Sequence, residues 1–226
     1  FEGRNKVFLA PLAGITDSAF RQVAKQCGAG LCYTEMVSAK GLSYKNKNTA
    51  QLLSVAPEEG RVGVQLFGRE PQLLGDMAAK LEQEMGAQIA LFDVNMGCPA
   101  PKIVNNGEGA ALMKEPALAA DMVRALKRSV TRPVTVKFRT GFTSNTAVEF
   151  ARRVQDEGAD AVCVHGRLRE QYYSGKADWD AIAEVVRALS IPVLANGDVF
   201  TPQDAQAILR HTGAEGVMVA RGALGN

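Results

Sequence analysis

The chain has 226 residues, of which 46% are hydrophobic and 22% are charged, and its formal net charge is +2. This composition is that of an ordinary globular protein, and the length suits one large domain with a sizeable core. No apolar stretch approaches the ~20 residues needed to cross a bilayer, so we expect no membrane partner. Phe1 is not a natural start, and we expect a longer native N-terminus.

The cysteine and histidine content argues against a metal centre. The four cysteines form no C-x-x-C pair, and Cys32 and Cys163 lie inside apolar runs. Only two histidines are present, His165 and His211, so a His-rich ligand set is excluded. We therefore expect no metal, no disulfide framework and a reducing, cytoplasmic location.

Short apolar runs alternate with longer helical patterns along the chain. The strand candidates are residues 7–10, 31–34, 62–67, 89–93, 134–137, 161–165, 193–195 and 216–220. Their largely unalternated Val, Leu and Ile content predicts parallel strands that are buried on both faces. Thr201 before Pro202 predicts a capped helix start, and Thr146 with Glu149 predicts a second capping box.

A Gly-Ala pair recurs before every second strand candidate. Gly28, Gly86, Gly158 and Gly213 each precede an alanine at the end of a helical pattern. Glycine supplies a left-handed helix stop, and alanine lets the helix pack close to the sheet. Eight strands in this two-step repeat predict an α/β fold, the (β/α)8 TIM barrel. An open doubly wound sheet is the competing hypothesis, weakened because no G-x-G-x-x-G follows the first strand.

Only residues 221–226 follow the last strand candidate. The eighth helix of the barrel is therefore essentially absent, and the barrel is expected to be truncated after its eighth strand. We expect a longer native protein to continue past Asn226. Residues 1–226 are interpreted as one barrel domain.

Cys98 is the most informative residue. It lies on a Gly/Pro turn directly after the apolar run 89–93. In α/β proteins the C-terminal ends of the strands are where chemistry is done. A thiol in that position can act as an acid or a nucleophile, with a free surface thiol as the alternative.

The other strand ends supply amides, cations, one imidazole and two glycine turns. They carry Gln65, Asn95, Lys137, Arg139, His165, Arg167, Asn196-Gly197-Asp198 and Ala220-Arg221-Gly222. Glycine turns after the last two strands are where many barrels bind a phosphate. These side chains have several possible roles. Lys137 could be a Schiff-base lysine or a structural ion-pair partner. Gln65, Asn95 and His165 could be polar core residues whose hydrogen bonds are satisfied.

Four loops at these strand ends are strongly basic. Residues 36–57, 98–107, 137–146 and 165–176 together carry +8, so the rest of the chain carries −6. Tyr44, Tyr172 and Tyr173 lie among the cations. A polyanion with unstacked bases is a natural partner for such a face. The alternatives are a solvated basic face or a site for small phosphorylated substrates.

Taken together, these segments resemble the tRNA-dihydrouridine synthase family, in particular its broad bacterial branch. Seven motifs follow in order over nearly the whole chain. They are Ala10-Pro11-Leu12-Ala13-Gly14-Ile15-Thr16-Asp17, Val64-Gln65-Leu66-Phe67-Gly68, Asn95-Met96-Gly97-Cys98-Pro99, Gly109-Ala110-Ala111-Leu112-Met113, Val136-Lys137-Phe138-Arg139, Val164-His165-Gly166-Arg167 with Gln171 and Tyr173, and Asn196-Gly197-Asp198. Ala220 and Leu168 depart from the family pattern, which usually has glycine and threonine there.

The resemblance implies an oxidoreductase that uses FMN to reduce tRNA uridine to 5,6-dihydrouridine, with NADPH as the reductant. It implies that Cys98, held as a thiol, protonates C5 of the uracil. The flavin contacts that it implies are Pro11, Leu12, Ala13, Gln65, Lys137, His165, Asn196, Gly197, Asp198, Ala220 and Arg221. The substrate contacts that it implies are Asn95, Arg139 and Arg167.

The same resemblance sets expectations for the whole protein. The family has a C-terminal helical domain that helps to hold tRNA, and we expect this domain to be absent here. The target base must leave the tRNA fold to reach the pocket. We expect a monomer. Two other hypotheses stay open: an FMN oxidoreductase of a free pyrimidine, similar to dihydroorotate dehydrogenase, and an inactive barrel fragment without FMN.

Overall fold

The computed structural model describes residues 5–225, so Phe1 and Asn226 lie outside it. The strands are β1 Val7–Leu9, β2 Leu31–Cys32, β3 Val37–Ser38, β4 Val62–Phe67, β5 Ile89–Met96, β6 Val134–Gly141, β7 Ala161–Leu168, β8 Val193–Asn196 and β9 Gly216–Val219. The helices are α1 Ser18–Gln26, α2 Ala39–Ser43, α3 Lys47–Gln51, α4 Pro71–Met85, α5 Pro101–Asn105, α6 Pro116–Ser129, α7 Ala147–Asp156, α8 Trp179–Ala188 and α9 Pro202–Thr212.

All nine strands are parallel, in the order β2-β1-β9-β8-β7-β6-β5-β4-β3. The ring closes where Tyr33, just past β2, bridges Gly63 on β4, and the Thr34 N–H donates to the Gly63 carbonyl over 2.9 Å. This closure confirms the TIM barrel and rules out the open doubly wound sheet. All eight strand candidates are present, and β3 is an additional two-residue strand beside the end of β4.

The two faces of the strands differ in character. Outward-facing residues such as Val94, Val136 and Phe138 are fully buried against the surrounding helices. Inward-facing residues near the strand starts, among them Phe8 and Leu91, form a second apolar cluster that fills the lower barrel. Further along the strands the inward positions are polar. The predicted burial on both faces is therefore confirmed, and in the upper interior the buried inward-facing residues are polar.

The helix-end predictions are partly confirmed. Thr201 accepts from the Asp204 N–H over 3.1 Å, which completes the predicted cap of α9. Thr146 makes no cap bond, and its buried hydroxyl has no hydrogen-bond partner, so the second capping box is wrong. The Asn145 side chain takes that place by accepting from the Ala147 N–H over 3.0 Å.

Three of the four repeated glycines have the left-handed backbone that the Gly-Ala pattern predicts. Their φ angles are +93° at Gly28, +95° at Gly158 and +70° at Gly213. The prediction is wrong at Gly86, where φ is −55° because a 3₁₀ turn leads from α4 into β5.

The chain after β9 enters a 3₁₀ turn, Arg221–Ala223, and no further helix follows within residues 5–225. Over the same residues, no helix is both long and apolar enough to cross a bilayer.

Candidate active site

A cavity of about 940 Å³, including its open mouth, lies at the C-terminal ends of the strands. The structure brings all of the predicted site residues to its lining except Gln65. Those that line it are Pro11, Leu12, Ala13, Asn95, Cys98, Lys137, Arg139, His165, Arg167, Asn196, Gly197, Asp198, Ala220 and Arg221. Its position is where barrel enzymes place their chemistry.

Gln65 lies below the floor of this cavity, with 1% of its surface exposed. Its Nε2 donates to Asp93 Oδ2 over 2.6 Å, and its Oε1 accepts from Asn95 Nδ2 over 2.9 Å. Gln65 therefore reaches the cavity through Asn95. Its predicted contact with a flavin stays a prediction.

The Cys98 loop is held from two sides. Asn95 Oδ1 accepts from the backbone N–H of Gly97 over 3.2 Å and of Cys98 over 2.9 Å. Arg139 Nε donates to the Gly97 carbonyl over 2.8 Å. Burial lowers the pKa of Arg139 from 12.5 to about 10, which leaves it protonated at neutral pH. Cys98 is half-buried, has no disulfide partner and lines the cavity.

Lys137 lies on β6 next to Asn95 on β5 in the strand register. Its Nζ donates to Asn196 Oδ1 over 3.2 Å, and Asn196 Nδ2 donates to the Met218 carbonyl over 2.7 Å. Burial lowers the pKa of Lys137 below its ordinary value. The amine has a neutral amide as partner and lies in the cavity lining, where it can donate to an electron-rich group.

His165 and Arg167 lie on β7 and play different parts. Burial, together with the charges of Lys137 and Arg139, holds the pKa of His165 well below its ordinary value, so the imidazole is neutral at pH 7. Arg167 is 2% exposed. It pairs with Asp198 over 2.8 Å and donates to the Gly175 carbonyl over 2.7 Å. These contacts fix the loop after β7, while the predicted substrate contact of Arg167 stays a prediction.

Two turns, after β8 and after β9, close the far end of the cavity. Gly197 has φ +129° and Asp198 has φ +54°. A Cβ on Gly222 would lie 1.9 Å from the Val199 carbonyl oxygen, so the two backbones approach too closely for any side chain there. Ala220 has φ −112° and needs no glycine conformation.

The structure adds residues that the sequence interpretation did not assign to the site. Tyr173 lies in the cavity wall between two guanidinium groups, 4.3 Å from Arg221 and 5.8 Å from Arg139. Asp93 lies beneath Asn95 and holds Gln65. The period-2 spacing of Asp93 and Asn95 on one strand is the signal that could have found it.

Two polar aromatic side chains lie outside the cavity lining. His211 lies in the last turn of α9 and pairs with Asp180 over 2.7 Å. Trp179 begins α8 and donates to the Gly197 carbonyl over 3.2 Å. No group of three or more His, Cys, Asp or Glu side chains in the described residues could hold a metal ion.

The chain matches the family model described as "Dihydrouridine synthase (Dus)" over residues 8–226. It belongs to this family. The chain is 44% identical over 224 residues to a probable tRNA-dihydrouridine synthase of Rhizobium leguminosarum bv. phaseoli, covering 98% of this chain and 69% of the relative. It is 43% identical to tRNA-dihydrouridine synthase B of Xanthomonas axonopodis pv. citri, covering 97% of this chain and 66% of the relative. A Synechocystis sp. relative, probable tRNA-dihydrouridine synthase 1, is 42% identical, and the chain covers 62% of its length.

Solved structures support the fold of this dihydrouridine synthase family member. Histamine dehydrogenase from Rhizobium sp. 4-9 matches with a TM-score of 0.72 at 13% identity, covering 97% of this chain and 44% of that chain. A FabK (M276A) mutant from Thermotoga maritima matches with a TM-score of 0.59 at 16% identity, covering 99% of this chain and 63% of that chain. At these identities the likeness extends to the barrel fold alone.

Proposed function

We propose that this protein reduces uridine in tRNA to 5,6-dihydrouridine, with FMN as cofactor and NADPH as the electron donor. The observation that carries the proposal is the convergence of Cys98 and Lys137 on one cavity whose far end is built from two glycine turns. Family membership supports the same reaction. The chain spans 62–69% of the length of the three relatives described above, so the activity of the whole protein belongs to this proposal.

The cavity residues fit FMN at both ends of the cofactor. The turns at Gly197 and Gly222 lie where barrels bind a phosphate, and the Arg221 guanidinium beside them offers a planar fork of donors. The half-buried Lys137 amine suits the anionic edge of a reduced isoalloxazine, and the segment from Pro11 to Ala13 supplies a wall for the ring. When bound, FMN supplies the hydride for C6 of the uracil.

Cys98 supplies the proton for C5. Its loop is anchored by Asn95 and Arg139, which leaves the thiol at the cavity wall. A general acid must lie within hydrogen-bond reach of its target, and a base turned out of the tRNA can enter through the open mouth. Arg139 carries a positive charge beside the loop and can bind the uracil carbonyl where charge develops.

The basic loops at the strand ends suit the tRNA backbone. Lys40, Lys45 and Lys47 belong to one of them, and Tyr44, 74% exposed, lies among these lysines. Unstacked bases stack on exposed aromatic rings, and the cations around such rings bind phosphates. The monomeric state, the cytoplasmic location and the C-terminal helical domain of the longer protein belong to the same proposal.

The test is a competition between substrates. Purified protein is loaded with FMN and NADPH and offered unmodified tRNA and free uracil, and products are followed by mass spectrometry. The proposal expects a gain of about 2 Da on tRNA nucleosides, since two hydrogens are added to one double bond. Reduction of free uracil in preference to tRNA would favour a free-pyrimidine oxidoreductase. A colourless protein that takes up no FMN would favour an inactive barrel.

A further inference from the structure

A chain of buried polar side chains runs up the inside of the barrel to the Cys98 loop. Gln65, Asp93 and Thr135 lie side by side in the register of β4, β5 and β6, and each is at most 4% exposed. Asn95 lies two residues beyond Asp93 on the same face of β5. Polar groups persist at such depth when their hydrogen bonds are complete, so the direction of each bond matters.

The carboxylate of Asp93 fixes these directions. Its Oδ1 accepts from Thr135 Oγ1 over 2.5 Å, and its Oδ2 accepts from Gln65 Nε2 over 2.6 Å. Because an ionised carboxylate can only accept, Gln65 must turn its NH₂ group toward Asp93 and its Oε1 toward Asn95. Asn95 then donates to Gln65 through Nδ2 over 2.9 Å.

Asn95 has only its Oδ1 left for the Cys98 loop. That oxygen accepts from the Gly97 and Cys98 N–H groups over 3.2 and 2.9 Å. The opposite amide orientation would place N–H donors against N–H donors and release both bonds. The position of the thiol thus depends on Asp93, which is 1% exposed and does not line the cavity.

We propose that Asp93 is the positioning residue for Cys98. Its carboxylate sets the orientation of the Gln65 and Asn95 amides, and through them it holds the Cys98 loop against the cavity. We call this series of hydrogen bonds, from Asp93 through Gln65 and Asn95 to the Cys98 loop, the relay. Its importance for catalysis rests on the proposed function. The relay itself is tested without cofactor or substrate.

The first test measures the alkylation rate of Cys98 by iodoacetamide. It is run in a Cys27→Ser background, because Cys27 is exposed, whereas Cys32 and Cys163 are buried. Asp93→Asn lets the amide at position 93 donate as well as accept, so the relay loses its fixed direction. We expect Cys98 to react about fivefold faster or more, as the loop loses one or both backbone hydrogen bonds.

Two further variants separate the relay from general damage to the barrel. Thr135→Val removes the other hydrogen bond to Asp93 and leaves the Gln65 contact, so alkylation should stay within about twofold of the parent. Adding Gln65→Glu to Asp93→Asn moves the carboxylate one step along the relay. The introduced carboxylate can accept from Asn95 Nδ2, and the parental rate should return. Parental reactivity in Asp93→Asn, or no rescue in the double variant, would overturn the proposal.

A second measurement needs no substitution and stands even if Asp93→Asn fails to fold. Amide hydrogen exchange in the parent protein should be at least about tenfold slower at Gly97 and Cys98 than in a free peptide. Exchange at the free-peptide rate would overturn the relay. If the relay holds and no dihydrouridine forms, only the proposed function fails. If dihydrouridine forms and Asp93→Asn leaves the alkylation rate of Cys98 unchanged, only the relay fails.

Discussion

The two ends of the cavity are built by different means. At one end, side chains on β5 and β6 and the loop after β5 present a thiol, an amide, an amine and a guanidinium. At the other end, the turns after β8 and β9 bring backbone so close that Gly222 has no room for a Cβ. The first end is suited to reaction chemistry and the second to holding a phosphate. Damage at the two ends should therefore have separable effects.

The largest expected effect is at the reaction end. Cys98→Ala should lower the rate of uridine reduction by about 10²–10⁴-fold, because the proton donor to C5 is lost. Flavin content and flavin reduction by NADPH should stay at parental levels. Cys27→Ala, at the exposed end of α1, is the matched control and should retain full activity. Wild-type dihydrouridine formation by Cys98→Ala would remove Cys98 from the chemistry.

The next largest effect is on the free energy of unfolding and comes from Asp93, which lies beneath the reaction end. Burial raises the pKa of Asp93 from 3.8 to about 6. Because the folded pKa is the higher one, the folded state binds the proton more tightly, and stability falls as pH rises from about 4 to about 6. The expected loss is about 3 kcal/mol. Asp93→Asn should remove this component, which urea unfolding of both proteins between pH 4 and pH 7 measures. An identical pH dependence in the two proteins would contradict it.

At the phosphate end, Gly222→Ala should weaken FMN binding. A Cβ 1.9 Å from the Val199 oxygen forces the two turns apart, at a cost of about 1–3 kcal/mol, or about 5–150-fold in affinity. Gly68→Ala is the matched control, since its Cβ would meet Ala39 at an ordinary 3.6 Å. Fluorescence titration with FMN compares them, and equal affinities would show that the turns do not hold the cofactor.

The smallest expected effect is at Lys137, the amine of the reaction end. Lys137→Met keeps the aliphatic stem and removes the cation, so FMN affinity should fall by about tenfold. Lys176 is exposed on a loop, so the control variant Lys176→Met should leave the FMN affinity unchanged. Unaltered binding and turnover in Lys137→Met would place the amine outside the cofactor site.

The sequence predicted the strands and the residues at their ends well, because parallel barrel strands are apolar runs whose last residues meet at one rim. It could not predict β3, since two residues form no pattern. It failed at Thr146 and Gly86, where neighbouring turns satisfy the helix ends in another way. The position of Gln65 beneath the cavity floor depends on Asp93, a contact across strands that only the fold brings together.

The most direct test of the account is a fluorescence titration of the protein with FMN. The account predicts saturation at one FMN per chain, with binding retained in Cys98→Ala and weakened in Gly222→Ala. No uptake of FMN by the parent protein, or equal binding by the parent and Gly222→Ala, would contradict the division of the cavity into a reaction end and a phosphate end.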